Sequence, residues 1–361
     1  MEILPRTLGT RPRLACEVRA EGVVAARAED ASAVLSAVSR VPLADGESGS
    51  SGLGSGAARA TMVAAVRKAL EAVCLRTRDV TLVVPDAAVR VLLLDFDELP
   101  AKAAEALPVV RFRLKKLLPF DADDAAVSYQ VMATSKGALQ VLAVAMPHEV
   151  LAEYESVVRD AGFEPGAILP STLAALAGLG EAERPVLVVN AGRDGVTTAI
   201  VKAGVLLLHR TVDLGAGRGE LRASDPGEEW AREKPVETSI AAIAARMAAA
   251  GSQVPVSEPE VIAEASVAAP TNEVAQAVSV AAAYFEDTLE ATPAVVLAAG
   301  TLGAAALTAV LDEASAGMGM GLVAVQEMVD RQMLGAGAAS AGSPTGIPLG
   351  WLAGVRGALA N

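Results

Sequence analysis

Residues 186–214 constrain this chain more than any other stretch. They read as three short strands, 186–190, 196–201 and 205–214, built largely from Val, Leu, Ile and Thr. Two glycine turns, 191–195 and 202–204, join them. Gly192 and Gly195 suit a loop that presents backbone N–H groups to phosphate, because glycine lets the main chain approach closely. Asp194-Gly195 is also a favoured pair for a plain hairpin, and both readings stand.

The chain has 361 residues, enough for two to four modules, and is 52% hydrophobic and 20% charged, so it can bury a large core. Its net charge of −13 argues against a general nucleic-acid binder, which carries a basic field. Cys16 and Cys74 form neither a C-x-x-C pair nor a disulfide framework, which suits a reducing compartment. With only two histidines, His148 and His209, a His-rich metal site is excluded. The start, Met-Glu-Ile-Leu-Pro-Arg, lacks a signal pattern, and no run approaches the roughly 20 apolar residues of a membrane span. The expected location is cytoplasmic.

Residues 14–29 read as a hairpin turning at Glu21-Gly22, and 31–41 as a short helix or strand. The Gly/Ser-rich stretch 45–57 reads as a tether. Residues 61–74 carry apolar side chains at helical spacing. Strands are expected at 79–84 and 89–96. A helix opens near Leu99-Pro100, with Pro108 inside it, and ends at Leu117-Leu118-Pro119-Phe120. A hairpin over 127–146 and a helix over 149–161 follow, so that 79–161 reads as a small β-β-α-β-β-α module in its own right. Further helices are expected at 171–179, 239–250, 274–288, 304–314 and 349–359, with strands at 294–298 and 322–325.

Several segments together resemble one family. Arg111-Phe-Arg-Leu-Lys-Lys-Leu-Leu-Pro119-Phe120 followed by an acidic turn and a strand is similar to a helix ending in Leu/Ile-Pro-Phe. Ala161-Gly162-Phe163, the loop at 186–192, Leu208-His209-Arg210 and the segment 297–303 follow in matching order. These resemble the type IV pilus assembly protein PilM family, an actin-like branch. The cytoplasmic part of the type II secretion L protein shares the plan.

The resemblance implies an α/β, actin-like two-lobe fold with an inserted small α/β module. On that plan 1–60 begins lobe 1, 61–161 is the inserted module, 162–184 returns to lobe 1, 185–334 is lobe 2, and 335–361 ends in a helix back on lobe 1. It implies a scaffold at the inner membrane face that binds the cytoplasmic tail of PilN and, through it, PilO and the pilus motor. ATP and Mg are the cofactors it implies, at Asn190, Gly192, Gly195, Gly300 and Gly303. The other readings are an actin-like ATPase or kinase, and a cytoplasmic L-type component of a type II secretion system.

Four departures bear on that site. The stretch Leu14-Ala15-Cys16-Glu17-Val18-Arg19-Ala20 has no glycine loop. Asn190 stands where the family has an acid, and Ala299-Gly300 stands for its Gly-Gly pair. Asp213-Leu-Gly215-Ala-Gly217 only approximates the family's glycine-rich run. Magnesium prefers hard, charged oxygens, whereas Asn190 offers a neutral amide. Feeble nucleotide handling is therefore expected, with no catalytic residue and no metal ligand assigned. The one basic island, Arg111, Arg113, Lys115 and Lys116, reads either as a solvated helix face or as a contact for an acidic partner. Leu99, Phe112, Leu117 and Phe120, with Arg113 and Lys116, are the expected partner-binding residues.

Overall fold

The computed structural model describes residues 12–30, 33–43, 56–135, 137–180, 183–214, 268–291, 293, 295–315, 324–335 and 347–360. The tether expected at 45–57, apart from its last two residues, and the helix expected at 239–250 lie outside these residues.

Lobe 1 is built on an antiparallel meander, β1 (Leu14–Arg19), β2 (Gly22–Ala28) and β3 (Leu35–Pro42). Helix α1 (Ala57–Glu71) then leads to β4 (Asp79–Val84), which lies parallel to β1. A three-stranded antiparallel sheet intervenes: β5 (Arg90–Phe96), α2 (Ala103–Leu114), β6 (Ala125–Ser135) and β7 (Ala138–Pro147), in the order β5-β7-β6. Helix α3 (His148–Asp160) and β8 (Glu164–Pro170) complete the first sheet as β3-β2-β1-β4-β8. Helix α4 (Ser171–Ala177) closes the lobe.

Lobe 2 repeats the plan. Strands β9 (Val186–Ala191), β10 (Gly195–Lys202) and β11 (Val205–Asp213) form the meander expected at 186–214. Helices α5 (Ala268–Leu289) and α6 (Gly303–Ser315) flank β12 (Val295–Gly300), and β13 (Ala324–Glu327) gives the order β11-β10-β9-β12-β13. Helix α7 (Leu352–Leu359) ends the chain's described part.

Alternation explains the layers. Along β1 and β2, Leu14, Cys16, Val18, Val23 and Ala25 face a cluster with α1 and α3. Ala15, Val24 and Ala26 face the opposite cluster, shared with α4, α7 and residues of lobe 2 such as Val188, Ala199 and Ala299. Cys16 is thus a core residue, and burial pushes its thiol up. Helices α4 and α7 meet backbone to backbone: a Cβ on Gly357 would lie 1.8 Å from the carbonyl oxygen of Ala174.

The expected module 61–161 has other bounds in space. Helix α1, strand β4 and helix α3 all belong with the first sheet, and only the β5-β7-β6 sheet and α2 stand apart. The apolar run of β4 was legible, but its partner was not: an apolar run does not say which strand it pairs with. Helix α2 also begins at Ala103 and ends at Leu114, inside the expected limits, and keeps Pro108 within it.

Candidate functional site

The ends of β1 and β9, the middle strands of the two large sheets, meet at the cleft between the lobes, where a buried polar network joins them. Arg19 lies at its centre. Its Nε donates to Glu17 Oε1 at 2.7 Å, and its Nη2 donates to Ser171 Oγ at 2.6 Å and Asn190 Oδ1 at 2.7 Å. Ser171 Oγ donates in turn to Glu17 Oε1 at 2.7 Å.

Asn190 is the hub on the side of lobe 2. Its Nδ2 lies 2.9 Å from both Ser171 Oγ and Thr172 Oγ1, and 3.3 Å from Asp86 Oδ2. Asp86 sits in the short turn after β4 and accepts the Thr172 amide at 3.0 Å and the Thr172 hydroxyl, at the first turn of α4. An acid at 190 would turn an oxygen toward that carboxylate. The amide is what this environment requires, because its donor faces Asp86 and its acceptor faces Arg19.

The charges here are shifted by their surroundings. Burial raises the Glu17 carboxyl, opposed by the Arg19 guanidinium and the Ser171 hydrogen bond. Burial works against the Arg19 cation, yet Glu17, Glu21 and Asp86 outweigh it and hold the guanidinium charged. Burial lowers His209 on β11, with Asp86 pulling the other way, and its Nε2 has no hydrogen-bond partner.

The second contact between the lobes lies one step outward. The β1–β2 turn has only two residues between the strands, Ala20 and Glu21, and Glu21 Oε1 reaches across the cleft. It accepts the backbone N–H of Arg193 at 2.6 Å and the hydroxyl of Thr301. Gly192 donates its own N–H to the Gly195 carbonyl at 3.0 Å. A cavity of about 50 Å³ remains between Arg19, Asp86, Asn190 and the turn 192–195. On the far side of Glu21 a cleft of about 480 Å³ is lined mainly by apolar groups, among them Leu43, Leu214, Val274, Leu302 and Trp351.

The expected cofactor residues therefore come together, but not as a phosphate cradle. Asn190 and Gly192 face Arg19 and Glu21. Gly195 closes its own turn. Gly300, at φ +83°, packs its Cα where a Cβ would lie 2.4 Å from the Ala191 carbonyl oxygen, so glycine there serves a close approach of β12 to β9. Gly303, at φ +73°, starts α6, whose Ala304 amide is capped by Glu327 Oε1 at 2.8 Å. These residues do not fit Mg·ATP. The Gly192 N–H goes to the Gly195 carbonyl and the Arg193 N–H to Glu21, so neither is offered to phosphate, and Asn190 Oδ1 is held by the Arg19 guanidinium rather than offered to a cation. Among the described residues, no group of His, Cys, Asp and Glu side chains is placed to hold a metal.

Sequence reasoning missed Arg19, Glu21, Asp86, Ser171, Thr172 and Thr301. A signal existed for the first two, since Glu17, Arg19 and Glu21 alternate charge across an otherwise apolar hairpin. The other four come from distant turns, with nothing local to mark them.

The expected partner-binding residues separate into two groups. Leu99, Leu117 and Phe120 are half-buried against the module core of Leu94, Val110, Leu114 and Val141. Phe112 is 68% exposed and Val109 39% exposed, on the side of α2 opposite Ala106, Val110 and Leu114. Arg111 is drawn into the carbonyls of Ala122 and Ala125, and Lys115 pairs with Asp123. Arg113 and Lys116 are exposed beside Phe112, with no ion-pair partner among the described residues.

No protein-family model matches the chain, and no curated protein matches its sequence. Solved structures do. A chain of the PilM-PilN type IV pilus biogenesis complex superposes with a TM-score of 0.64 at 17% identity, covering 97% of this chain and 98% of that one. The cytoplasmic domain of EpsL, an inner membrane component of the type II secretion system of Vibrio cholerae, gives a TM-score of 0.35 at 15% identity over 55% of this chain and 70% of its own. A Bacteroides thetaiotaomicron protein with an actin-like ATPase fold and unknown function gives 0.43 at 8% identity, over 89% and 91%. The fold is the actin-like two-lobe α/β fold, as the sequence resemblance implied. No helix among the described residues is long and apolar enough to cross a membrane.

Proposed function

We propose that this chain is a scaffold of the PilM type, whose work is to hold a partner rather than to turn over a nucleotide. The observation that carries this reading is the outward face of α2, where Phe112 and Val109 stand exposed beside Arg113 and Lys116. Phe112 and Val109 share one helix face, so their exposed side chains offer a small joint apolar contact rather than two scattered ones. Two cations beside it, without an ion-pair partner among the described residues and in a chain of net charge −13, suit an apolar segment with an acidic flank.

The superposition over nearly the whole of a chain from the PilM-PilN complex supports the same reading. On this proposal the occupant is the short cytoplasmic tail of a PilN-like membrane protein. The chain would then lie at the inner membrane face through its partner, linked by that partner to PilO and the pilus motor. Leu99, Leu117 and Phe120 hold the module's shape, and Phe112, Arg113 and Lys116 make the contact. The cleft, with its Gly192 and Arg193 amides and Asn190 Oδ1 taken by the chain itself, supports a scaffold over an ATPase or kinase.

Fluorescence anisotropy with a labelled PilN-type tail peptide tests this. Phe112→Ala, and separately Arg113→Glu with Lys116→Glu, are expected to weaken capture at least tenfold, about 1.4 kcal/mol, while the circular dichroism melt stays in place. Unchanged capture in both variants, or ATP turnover near 1 per second, an ordinary enzyme rate, refutes the proposal.

A further inference from the structure

The β9–β10 side of the cleft is met by charges of the chain itself, Arg19 at the end of β1 and Glu21 in the turn that follows. Glu21 extends from the β1–β2 turn of lobe 1 into the β9–β10 turn of lobe 2. There Oε1 accepts the Arg193 N–H at 2.6 Å and the Thr301 hydroxyl. A Cβ added to Gly192 would lie 2.9 Å from the same oxygen, so the carboxylate rests against the glycine main chain itself. Glycine-turn amides with a neighbouring hydroxyl are the donors a small oxyanion uses. The Glu21 carboxylate already takes the Arg193 amide and the Thr301 hydroxyl, and the Gly192 amide is spent on the Gly195 carbonyl.

Arg19, two residues earlier, occupies the adjoining position. Its guanidinium spans Glu17 on its own strand, Ser171 on α4 and Asn190 on β9, at 2.6–2.7 Å. A space of about 50 Å³ is left beside Arg19 and Asn190, and the cleft of about 480 Å³ on the far side of Glu21 opens onto the same Gly192, Arg193 and Thr301. One anion and one cation thus reach from lobe 1 to lobe 2, Glu21 to Arg193 and Thr301 and Arg19 to Asn190.

We propose that Arg19 and Glu21 are resident ligands of the cleft, standing where a cation and a bound oxyanion would otherwise bridge the lobes, so that the closed arrangement is held without any nucleotide. A ligand can shift the lobes only by binding one arrangement better than the other. Here the Arg193 amide and the Thr301 hydroxyl are already held by a carboxylate of the chain itself, which a free anion has to displace. The ligand class that competes for Glu21's position is a small oxyanion such as pyrophosphate, and it gains entry only when the carboxylate is removed. This inference does not depend on the partner reading.

Hydrogen exchange measured by mass spectrometry on the full chain tests it, read at peptides spanning 190–195 and 300–303. In the wild type these amides should be protected without ligand and unchanged by millimolar pyrophosphate or Mg·ATP. Glu21→Ala should raise their exchange on the order of tenfold, and pyrophosphate should slow it again. Arg19→Met should raise exchange at the same peptides. Wild-type exchange in Glu21→Ala overturns the proposal, as does slowing of the wild type by pyrophosphate or Mg·ATP. Faster exchange that pyrophosphate leaves unchanged overturns the assignment of the position to an oxyanion. Should Glu21→Ala fail to fold, Glu21→Gln keeps the shape and one acceptor oxygen. It should show a smaller rise at the same peptides, and no rise there overturns the proposal equally.

Discussion

The two large sheets have one strand order, β3-β2-β1-β4-β8 and β11-β10-β9-β12-β13, yet they meet the cleft differently. In lobe 2 the first hairpin ends in a glycine turn that offers main-chain amides. In lobe 1 the corresponding turn is tighter and offers the long charged side chains of Arg19 and Glu21. One side supplies charge and the other supplies dipoles, so the halves complement each other directly. The same comparison locates the insertion. Between β12 and α6 only residues 301–302 intervene, while between β4 and α3 the chain inserts 85–147. Equal sheets can carry unequal connections because the strands form the core and the connections do not.

Four changes break or sharpen this comparison, beginning with the largest. Helices α4 and α7 each follow the last strand of a large sheet and cross at Gly357, where there is no room for a side chain. Gly357→Val should cost about 3 kcal/mol or more in urea unfolding, since the helices must separate across the main core. A loss under about 1 kcal/mol would mean that the helices can slide apart freely.

Asn190→Asp comes next. It places a carboxylate oxygen against Asp86 and removes donors to Ser171 and Thr172, while gaining charge attraction to Arg19. The expected net loss is about 1–3 kcal/mol at neutral pH, read from chemical denaturation, and no gain of Mg·ATP binding. The sequence alone suggests the opposite, that an acid at 190 restores a metal ligand. A variant that binds Mg·ATP would restore that view.

His209 gives a smaller, pH-dependent effect. Burial lowers its folded value below the ordinary 6.5, so the unfolded chain binds the extra proton first. The stability contributed by the neutral ring is present above 6.5 and is lost as pH falls from there toward the lowered value. Across that window His209→Gln should show a flatter stability-against-pH curve than the wild type. An equally steep curve would assign the acid sensitivity elsewhere.

The smallest effect is on α2. Phe112→Ala should change stability by under about 0.5 kcal/mol, whereas Leu114→Ala, two residues on and fully buried, should cost about 2–5 kcal/mol. Comparable losses would mean that Phe112 packs, and would remove the surface on which the partner reading rests.

Much of the fold was legible because its signals are local. The strand at 79–84, the three strands over 186–214 and the stop at Gly162 needed only propensity, alternation and a glycine at φ +88°. The domain bounds were less so. Nothing within β4 says that it pairs with β1 rather than with β5, six residues further on, because parallel pairing leaves no turn signature.

By itself the sequence determined most of the elements and, through collinear motifs, the actin-like plan; it missed β8 (Glu164–Pro170), whose Pro165 and Gly166 hide a strand, and left β3 open between helix and strand. It also showed that Asn190 departs from an acid. Only the tertiary structure decided what that departure means. Asn190, Arg19, Asp86 and the Ser171-Thr172 pair lie on four separate elements, and their hydrogen bonds arise only when both sheets bring their strand ends to one cleft. A buried amide is judged by the partners around it, and partners distant in sequence have no local signal.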